Sequence, residues 1–594
     1  MADRKWRRTQ RVAEVSEQDL GKELCLMGWC ARQRDLGNIV FIVLRDRSGE
    51  LQLVFDEEAG DGLVEQAKAL RSEYVIGVKG VLRERESANP DMPTGKWELA
   101  VKDLIVYSKA ETPPFYIEDT DNSRESLHLE YRYLDLRRPK MRDKMIFRHK
   151  FNKFTRDWFD AEGFLEIETP YLVKSTPEGA RDYLVPSRVH QGKFFALPQS
   201  PQILKQILMV SGFDRYMQLA RCFRDEDLRA DRQPEFTQID AEMSFVDQED
   251  VFDVVERYFH DLFKELLDYD IQLPVQRMTY ADAMRDYGTD KPDLRFDLKL
   301  VDITELVQDT DFRVLSANTK PGHRVVAIKV SGAEFSRREI DKLTEVVRTY
   351  GAKGLLWIQK TAAELRSSFS KQVTPELLGS IAEKMLVQEG DYIFIVGDED
   401  LVASRALGQL RLELAKQLEL IPENTWAPLW VIDFPMFEYD DELEAYVPAH
   451  HPFTSPLPED RDKLRTEPEN CRAQSYDFVL NGNELLSGSI RIHDADLQHE
   501  IFDLLGMSEE EIQKRFGFLI KAFRYGVPPH GGFAIGLDRL VMLMTNSDSI
   551  RDIIAFPKVQ NSACLMSEAP SSVPEADIEA LGLELKEAAK EDKK

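Results

Sequence analysis

The feature that most constrains the fold is a pair of strand-like runs on either side of a charged segment, between residues 216 and 245. The first run is YMQLARCF (216–223), and from Phe236 onward the residues alternate with the period of two that a strand requires. The pattern predicts two antiparallel strands joined by a charged loop, although an exposed strand beside a solvated loop is the alternative. One predicted face carries Thr237, Ile239, Ala241, Met243 and Phe245, and the other carries Gln238, Asp240, Glu242 and Ser244.

The loop between these runs mixes carboxylates with guanidinium groups. Arginine binds phosphate oxygens bidentately, and carboxylates either orient the arginines or bind Mg²⁺. The pattern is therefore compatible with a polyphosphate site, with a plain solvated loop, the usual outcome for a charge run, as the alternative. The charged groups are Arg224, Asp225, Glu226, Asp227, Arg229 and Arg232.

A second element, GGFAIGLDRLVMLMTN (531–546), predicts a helix that starts near Gly536. Its apolar positions follow the i, i+3, i+4, i+7 rule, which leaves Arg539 in the first turn and off the apolar face. A cation in the first turn opposes the helix dipole, and an anionic ligand would remove the conflict. The glycines do not have the spacing of a dinucleotide-binding loop.

The N-terminal part of the chain reads as a small β domain. Five β-rich segments lie at 24–31, 38–46, 49–56, 74–84 and 97–108, with a helical stretch at 65–72. This arrangement predicts a five-stranded oligonucleotide-binding barrel, with any other small barrel or sandwich as the alternative.

The whole chain is predicted to be a multidomain α/β protein with a catalytic domain on an antiparallel sheet. Between 295 and 425 the alternation of strands and a helix indicates an inserted α+β domain. The predicted domains are a barrel over 1–110, a linker over 111–135, a catalytic domain over 136–294 and 426–565, the insert over 295–425, and a tail helix over 566–594.

Composition narrows the function classes. The net charge of −28 argues against a generic nucleic-acid coat, although local patches decide contact. No apolar run approaches the ~18 residues that span a membrane. The five cysteines are sparse and form no CxxC pair, so neither a disulfide framework nor a zinc site is indicated and a cytoplasmic protein is expected. They are Cys25, Cys30, Cys222, Cys471 and Cys564.

Together these elements resemble the class II aminoacyl-tRNA synthetases. FRDED…RQPEFTQID (223–240) resembles their second signature motif and GLDRL (536–540) their third. FLEIETPYL (164–172), which contains Pro170, resembles the first motif, which lies at the dimer interface. The resemblance implies a homodimer.

Other stretches, together with the inserted domain, resemble the bacterial-type aspartyl-tRNA synthetases, and the resemblance covers nearly the whole chain. It implies that the substrates are ATP, L-aspartate and tRNA(Asp), with Mg²⁺ as the cofactor. The stretches are TPEGARDYLVPSR (176–188), ALPQSPQILKQ (196–206), HHPFT (450–454) and IRDIIAFPK (550–558).

By this resemblance, Arg224, Arg539 and Glu484 are the catalytic residues, and Asp477 and Glu484 bind Mg²⁺. The implied ATP site consists of Arg224, Asp225, Glu226, Gln233, Phe236, Glu484, Gly536, Leu537, Asp538 and Arg539. The implied aspartate pocket consists of Glu178, Gln202, Lys205, Arg224, Asp240, His450 and Arg491. The residues implied to read the anticodon are Arg34, Leu36, Phe41 and Gln52, with plain core as the alternative for Phe41.

Leu36 bears on the choice of tRNA, and Leu485-Leu486 bears on the shape of the pocket floor. Leu36 leans towards a form that charges only tRNA(Asp), because relatives that also charge tRNA(Asn) often carry histidine there. Leu485-Leu486 replaces the glycine-rich run that is usual after Glu484, and these leucines either tighten the pocket floor or pack beneath it.

Several other functions compete with this interpretation. The asparaginyl and lysyl relatives are disfavoured by the inserted domain, and Arg491 also disfavours the asparaginyl ones. A non-catalytic RNA-binding protein would not need intact Arg224, Glu484 and Arg539. An ammonia-using asparagine synthetase would not need the N-terminal barrel.

Overall fold

The computed structural model describes residues 6–176, 180–226, 232–440 and 443–585. These residues divide into two compact units. Among them, no helix is both long and apolar enough to cross a membrane. The first unit holds described residues 6–150, 232–234 and 541–575, and the second holds those from 151 to 226, from 235 to 540 and from 576 to 585.

The first unit contains a closed five-stranded barrel, as the sequence predicts. Its strands are β1 (Glu23–Asp35), β2 (Val40–Asp46), β3 (Gly49–Phe55), β4 (Val75–Glu84) and β5 (Trp97–Ser108), in the order β1-β2-β3-β5-β4. Alternate residues of β2 fill the core, where Val40, Ile42 and Leu44 are fully buried. Helix α1 (Asp61–Lys68) begins and ends earlier than predicted and buries Val64 and Ala67.

Short helices follow the barrel in the segment predicted to be a polar linker. They are α2 (Glu125–Glu130) and α3 (Arg132–Asp135), and the long α4 (Pro139–Ala161) comes after them. The side chain of Arg132 is buried and donates to backbone carbonyls after the third motif, so this one charge of the segment stabilises the packing of the chain.

Beyond α4 the chain continues as a mixture of strands and helices. The strands are β6 (Leu165–Glu166), β7 (Leu184–Pro186), β8 (Phe194–Ala196), β9 (Arg215–Phe223), β10 (Glu235–Ser244), β11 (Gln276–Thr279), β12 (Leu300–Asp302), β13 (His323–Val330), β14 (Leu356–Lys360), β15 (Leu365–Ser367), β16 (Tyr392–Glu399), β17 (Pro428–Ile432), β18 (Phe437–Asp440), β19 (Ala445–Pro448), β20 (Ser475–Leu480), β21 (Asn483–Ile490) and β22 (His530–Gly536). The helices are α5 (Gln202–Val210), α6 (Gln248–Leu267), α7 (Tyr280–Tyr287), α8 (Thr304–Val307), α9 (Arg313–Ser316), α10 (Arg337–Thr349), α11 (Pro375–Lys384), α12 (Asp400–Gln417), α13 (Ala495–Leu504), α14 (Glu509–Phe523), α15 (Leu537–Met544) and α16 (Glu575–Ala580).

An eight-stranded, mainly antiparallel sheet forms the centre of the second unit, in the order β11-β17-β20-β21-β22-β10-β9-β6. The two strands predicted around the charged loop are β9 and β10, which pair antiparallel. Residues 239–243 of β10 are all buried, so the alternation separates an apolar face from a buried polar face rather than from solvent. Phe245, predicted on the apolar face, instead lies beyond the strand end, has a φ of 60° and is 73% exposed.

The inserted segment forms its own five-stranded sheet, in the order β12-β13-β16-β14-β15. Helix α12 fastens it to the chain that precedes it. The buried Arg411 donates to the carbonyls of Asp293 and Phe296, each at 2.8 Å, and to that of Leu298 at 3.0 Å. A side chain at Gly408 would meet the carbonyl of Tyr287, so glycine permits this close approach.

Candidate active site

Four charged side chains form a buried network on the central sheet. Lys205 on α5 places Nζ 3.1 Å from Asp240 Oδ1 and 3.4 Å from Glu242 Oε2. Arg491, just after β21, donates from Nε to Glu242 Oε1 at 2.8 Å and from Nη2 to Glu242 Oε2 at 3.1 Å. Each of the four is at most 2% exposed. Two cations and two anions therefore neutralise one another without solvent.

The two carboxylates of this network are not equivalent. Burial raises the pKa of Asp240, against the opposing effect of Lys205. Burial also opposes ionisation of Glu242, but Arg491 and Lys205 outweigh it and the pKa of Glu242 is lowered. Asp240 Oδ2 is buried and has no protein partner. Asp240 is therefore the member of the pair with spare capacity to bind a ligand.

Arg491 has further partners that the sequence did not indicate. Its Nη1 lies 2.8 Å from Nε2 of His451 and donates to Oγ of Ser489 at 2.6 Å. The adjacent His450, which the resemblance places in the aspartate pocket, packs edge-on against Phe434 with ring centroids 4.9 Å apart. Burial lowers the pKa of His450 to about 4, which keeps its imidazole neutral near pH 7.

The glycines of β22 make room for this network. A side chain at Gly532 would overlap Oε2 of Glu242 and the carbonyl of Ala241. Gly488 on β21 faces the carbonyl of Gly532 in the same way. The close approach that these glycines allow is therefore to the protein's own strand and carboxylate.

Replacing Gly532 by alanine is expected to destabilise the fold by about 1–3 kcal/mol, because the added methyl overpacks the Glu242 carboxylate. Urea unfolding would measure the change. Gly379→Ala on α11 is the matched control, since a side chain there meets nothing within 4 Å and the fold should be at least as stable. Equal midpoints for the two variants would show that β22 has room that the structure does not indicate.

A cavity of about 380 Å³ lies within the second unit and contains residues from the sheet and from the inserted domain. The sheet side contributes Asp477, Glu484, Ser487 and the neighbouring His450. Leu485 and Leu486 are both buried and do not line this cavity, which favours packing beneath the floor. The inserted domain contributes Tyr350, Arg405 and Gln409, and the segment before it contributes Asp290.

The two carboxylates predicted to bind Mg²⁺ both line this cavity. Burial and the charge of Glu484 raise the pKa of Asp477 well above its usual range, and Asp477 Oδ1 is buried without a protein partner. The adjacent negative charge of Glu484 and the unpartnered oxygen both favour binding a cation there. In the described part of the chain no three His, Cys, Asp or Glu residues group as a metal site. Two carboxylates that leave room for phosphate oxygens are what Mg²⁺ usually takes, so these residues fit it.

Arg224 of the second motif and Arg539 of the third motif both lie in the second unit. The guanidinium group of Arg224 lies 5.1 Å from the ring centroid of Phe236, in cation–π geometry. Arg539 donates from Nη1 to the carbonyl of Glu484 at 2.6 Å. Asp538 accepts from the backbone N–H of Thr237 at 2.7 Å, which fastens α15 to β10.

Of the other described residues predicted for the ATP site and the aspartate pocket, one lies in the first unit and the rest lie in the second. The amide of Gln233, in the first unit, is paired with the backbone of Lys558. Gln202 is 7% exposed, and its Nε2 has no protein partner. Asp225 is half-buried and donates its backbone N–H to the carbonyl of Arg181 at 3.1 Å. Glu226 is half-buried, Gly536 ends β22, and Leu537, the first residue of α15, is fully buried. Glu178, Asp227 and Arg229 lie outside the described residues.

The predicted anticodon residues lie on the barrel. Phe41 is half-buried and alternates with the core positions of β2, so it lies on the outer face of the strand. Leu36 is 59% exposed, and Arg34 is also exposed. Gln52 is engaged with Glu98, to which its Nε2 donates at 2.7 Å.

Sequence reasoning missed four residues that the structure brings to the site. Glu242 is part of the alternation of β10, but the pattern gives no role to it. His451 is next to the predicted histidine, and only the backbone path decides which of the two rings reaches Arg491. Ser489 and Asp290 carry no local signal in the sequence.

Comparisons with known proteins agree with this arrangement of motifs. The family model described as tRNA synthetases class II (D, K and N) matches residues 124–560. The model described as OB-fold nucleic acid binding domain matches residues 24–107. The aspartate–tRNA(Asp/Asn) ligase of Caldanaerobacter subterraneus subsp. tengcongensis is 52% identical over 582 residues, which cover 98% of each chain. The chain belongs to the aspartate–tRNA ligases.

As a member of this family, the chain is a class II enzyme that uses ATP to charge tRNA. The aspartate–tRNA ligase of Ruminiclostridium cellulolyticum is also 52% identical, over 97% of this chain and 98% of its own. Among solved structures, the asparaginyl-tRNA synthetase of Pyrococcus horikoshii shares the fold, with a TM-score of 0.56 at 20% identity over 92% of this chain and 97% of its own. The aspartyl tRNA synthetase of Entamoeba histolytica has a TM-score of 0.57 at 18% identity over 93% and 92%.

Proposed function

We propose that the chain attaches L-aspartate to tRNA(Asp) in two steps. ATP and aspartate first form aspartyl-adenylate and release pyrophosphate, and the aspartyl group then passes to the 3′-terminal ribose of the tRNA. The observation that carries this proposal is the buried network of Lys205, Asp240, Glu242 and Arg491. It offers two buried cations for the side-chain carboxylate of aspartate and a buried anion, Asp240, for its ammonium group.

The first step needs no general base. The α-carboxylate of aspartate is already ionised near pH 7 and can attack the α-phosphorus of ATP in line. Catalysis then consists of positioning and of neutralising the charge that develops on the phosphate oxygens. We assign this work to Arg224 and Arg539. Asp477 and Glu484 would hold Mg²⁺, which supplies charge neutralisation on the phosphates when bound.

Selection against asparagine follows from the same network. Arg491 and Lys205 would meet the side-chain carboxylate of aspartate in a dry pocket. Asparagine is neutral and would add no anion beside the cations that Asp240 and Glu242 already pair, and a site built for a polar partner rejects an analogue that lacks it by ~10⁴–10⁵. Glu178 and Asp240 would receive the α-ammonium group, and Gln202 and His450 would complete the pocket.

We further propose that the barrel reads the anticodon. Phe41 on the outer face of β2 would stack on a splayed base, a contact worth ~1–3 kcal/mol, and Arg34 and Gln52 would contact base edges or phosphate. Two copies of the chain would pair through the segment around Pro170, where Tyr171 and Leu172 are each 51% exposed. Sedimentation of the chain as a monomer at micromolar concentration would contradict this dimer.

The enzyme is proposed to be the form that charges only tRNA(Asp), on account of Leu36. The alternative is the form that also charges tRNA(Asn). Relatives of both names, aspartate–tRNA(Asp/Asn) ligase and aspartate–tRNA ligase, are about equally similar to this chain. Similarity therefore does not decide between the two forms.

Aspartylation of two purified transcripts, tRNA(Asp) and tRNA(Asn), by the same enzyme preparation tests this proposal. Only tRNA(Asp) is expected to be charged. Charging of both would reject the role of Leu36 and keep the aspartate activity. Absence of pyrophosphate exchange with aspartate and Mg·ATP would reject the catalytic proposal itself.

Replacing Leu36 by histidine is expected to raise kcat/KM for tRNA(Asn) by about tenfold, which corresponds to one recognition contact of about 1.4 kcal/mol. The residue is exposed at the loop between β1 and β2, so the substitution should leave the barrel folded. Leu401→His, at another exposed leucine, is the control and should leave the ratio of the two tRNAs unchanged. An unchanged ratio for Leu36→His as well would show that other positions set the choice.

A further inference from the structure

A partly buried ion pair connects the barrel to the helices that follow it, since its carboxylate is buried and the Arg137 side chain is 28% exposed. Glu73, between α1 and β4, is 3% exposed and is held in the left-handed region, with a φ of 64°. Arg45 on β2 donates from Nη2 to its carboxylate at 2.7 Å, and Arg137, just after α3, donates from Nη1 at 2.7 Å. The Arg137 guanidinium also lies over the ring of Trp29 on β1, 5.0 Å from its centroid. A barrel carboxylate and a barrel aromatic ring therefore both hold Arg137.

The same short helix is fastened at its other end to the segment that follows the third motif. Arg132, at the start of α3, is 3% exposed. It donates from Nη2 to the carbonyls of Arg551 and Ile554, at 2.7 and 2.9 Å, and from Nε to the carbonyl of Ala555 at 3.0 Å. A guanidinium group buried on three carbonyls costs desolvation and is tolerated only where the geometry is fixed.

The segment from Arg551 to Lys558 also contacts Gln233, which lies at the end of the charged loop in the second motif. The backbone N–H of Lys558 donates to Oε1 of Gln233 at 2.8 Å, and Nε2 of Gln233 donates back to the carbonyl of Lys558 at 3.0 Å. Gln233 is 6% exposed. The pairing fixes both ends of its amide. Along the chain, Gln233 lies between Arg224 and Phe236, the two residues in cation–π contact.

We propose that Arg137 is a positioning residue that couples the anticodon-binding barrel to the second motif's loop, through α3 and the segment from Arg551 to Lys558. The side-chain contacts all join described residues of one compact unit, and the backbone of α3 and of the segment from Arg551 to Lys558 connects one contact to the next. Buried ion pairs and paired amides have few alternative arrangements, so a displacement at one end costs free energy at the other. This inference rests on the proposed anticodon role of the barrel.

The coupling has a consequence for the two steps of the reaction. Adenylate formation needs no tRNA, so loss of Arg137 should leave pyrophosphate exchange unchanged. Transfer to tRNA depends on a bound anticodon. Loss of Arg137 should therefore reduce the gain in kcat/KM that a correct anticodon gives over a changed one. A residue that only holds the fold together would lower both activities in parallel.

A double-mutant cycle tests the proposal with the intact chain. One axis is Arg137→Ala, and the other is a tRNA(Asp) transcript with one anticodon base changed. The base change is expected to lower kcat/KM of the unmodified enzyme strongly. For Arg137→Ala the fold-loss in kcat/KM should be about ten times smaller. That ratio is a coupling within the usual range between two sites. Arg137→Lys keeps a cation beside Glu73 but stacks less well on Trp29, so it should restore only part of the coupling.

Arg11→Ala is the matched control, since Arg11 forms an exposed ion pair with Glu14 near the start of the same unit. It should show no coupling to the anticodon. Additive effects of Arg137→Ala and the base change would overturn the inference, and so would a parallel loss of pyrophosphate exchange. If the base change has no effect on the unmodified enzyme, the proposed anticodon role fails instead, so the two failures are distinguishable.

Discussion

Replacing Arg491 by leucine is expected to lower kcat/KM for aspartate in pyrophosphate exchange by about 10³–10⁴-fold. The guanidinium group is 2% exposed and is held in one orientation by Glu242 on one side and by Ser489 and His451 on the other. A substrate carboxylate that reaches this pocket gives up water and needs a fixed cation in its place. Leucine offers none.

The same substitution also disturbs the fold, and the two effects must be separated. Removing Arg491 leaves Glu242 buried, and among the described residues Lys205, at 3.4 Å, remains as the cation paired with it. Breaking a buried ion pair at one end costs about 3–5 kcal/mol, whereas replacing both partners by apolar residues is often neutral. The double variant Arg491→Leu/Glu242→Leu is therefore expected to recover stability in urea unfolding without recovering aspartate activation.

Arg472→Leu is the matched control for Arg491. Arg472 also pairs with a carboxylate, Asp460, at 2.7 Å, but its side chain is 40% exposed. It should leave KM for aspartate unchanged. If the double variant at 491 and 242 activates aspartate normally, Arg491 has only a structural role and aspartate recognition must lie elsewhere.

Much of the fold follows from local patterns in the sequence. The alternation from Phe236 predicts β10, because a period of two is set by residues that are neighbours in the chain. The five strands of the barrel follow for the same reason. The end of β10 does not follow from the pattern. Phe245 continues the alternation, and yet it lies outside the strand with a positive φ. A turn into left-handed backbone depends on what packs around it, and no pattern of apolar residues records it.

The partners within the site are harder to predict than its members. Lys205, Asp240 and Arg491 follow from resemblance, but the pairing of Arg491 with Glu242 joins residues 249 positions apart. No local signal spans that distance. Gly532 shows the same limit. A glycine-rich stretch predicts that the backbone comes close to another group, but it predicts a ligand and a buried carboxylate equally well. The roles assigned to these residues stay predictions until they are measured.

Replacing Arg224 by lysine is expected to lower the rate of adenylate formation by on the order of 10²-fold or more, as loss of one donor to a transition-state charge does elsewhere. Lysine keeps the charge but lacks the planar fork that binds two phosphate oxygens at once. It also stacks less well than a guanidinium group on Phe236, which lies 5.1 Å from Arg224. The change should therefore appear in kcat more than in KM for aspartate.

Arg221→Lys provides the control on the same strand. Arg221 lies on β9, is 30% exposed at its side chain and pairs with Glu235 at 3.0 Å, so lysine can keep its ion pair. Single-turnover formation of aspartyl-adenylate should slow for Arg224→Lys and remain unchanged for Arg221→Lys. Equal rates for the two variants would mean that charge alone suffices at position 224, and that the bidentate geometry of its guanidinium group contributes nothing to the transition state.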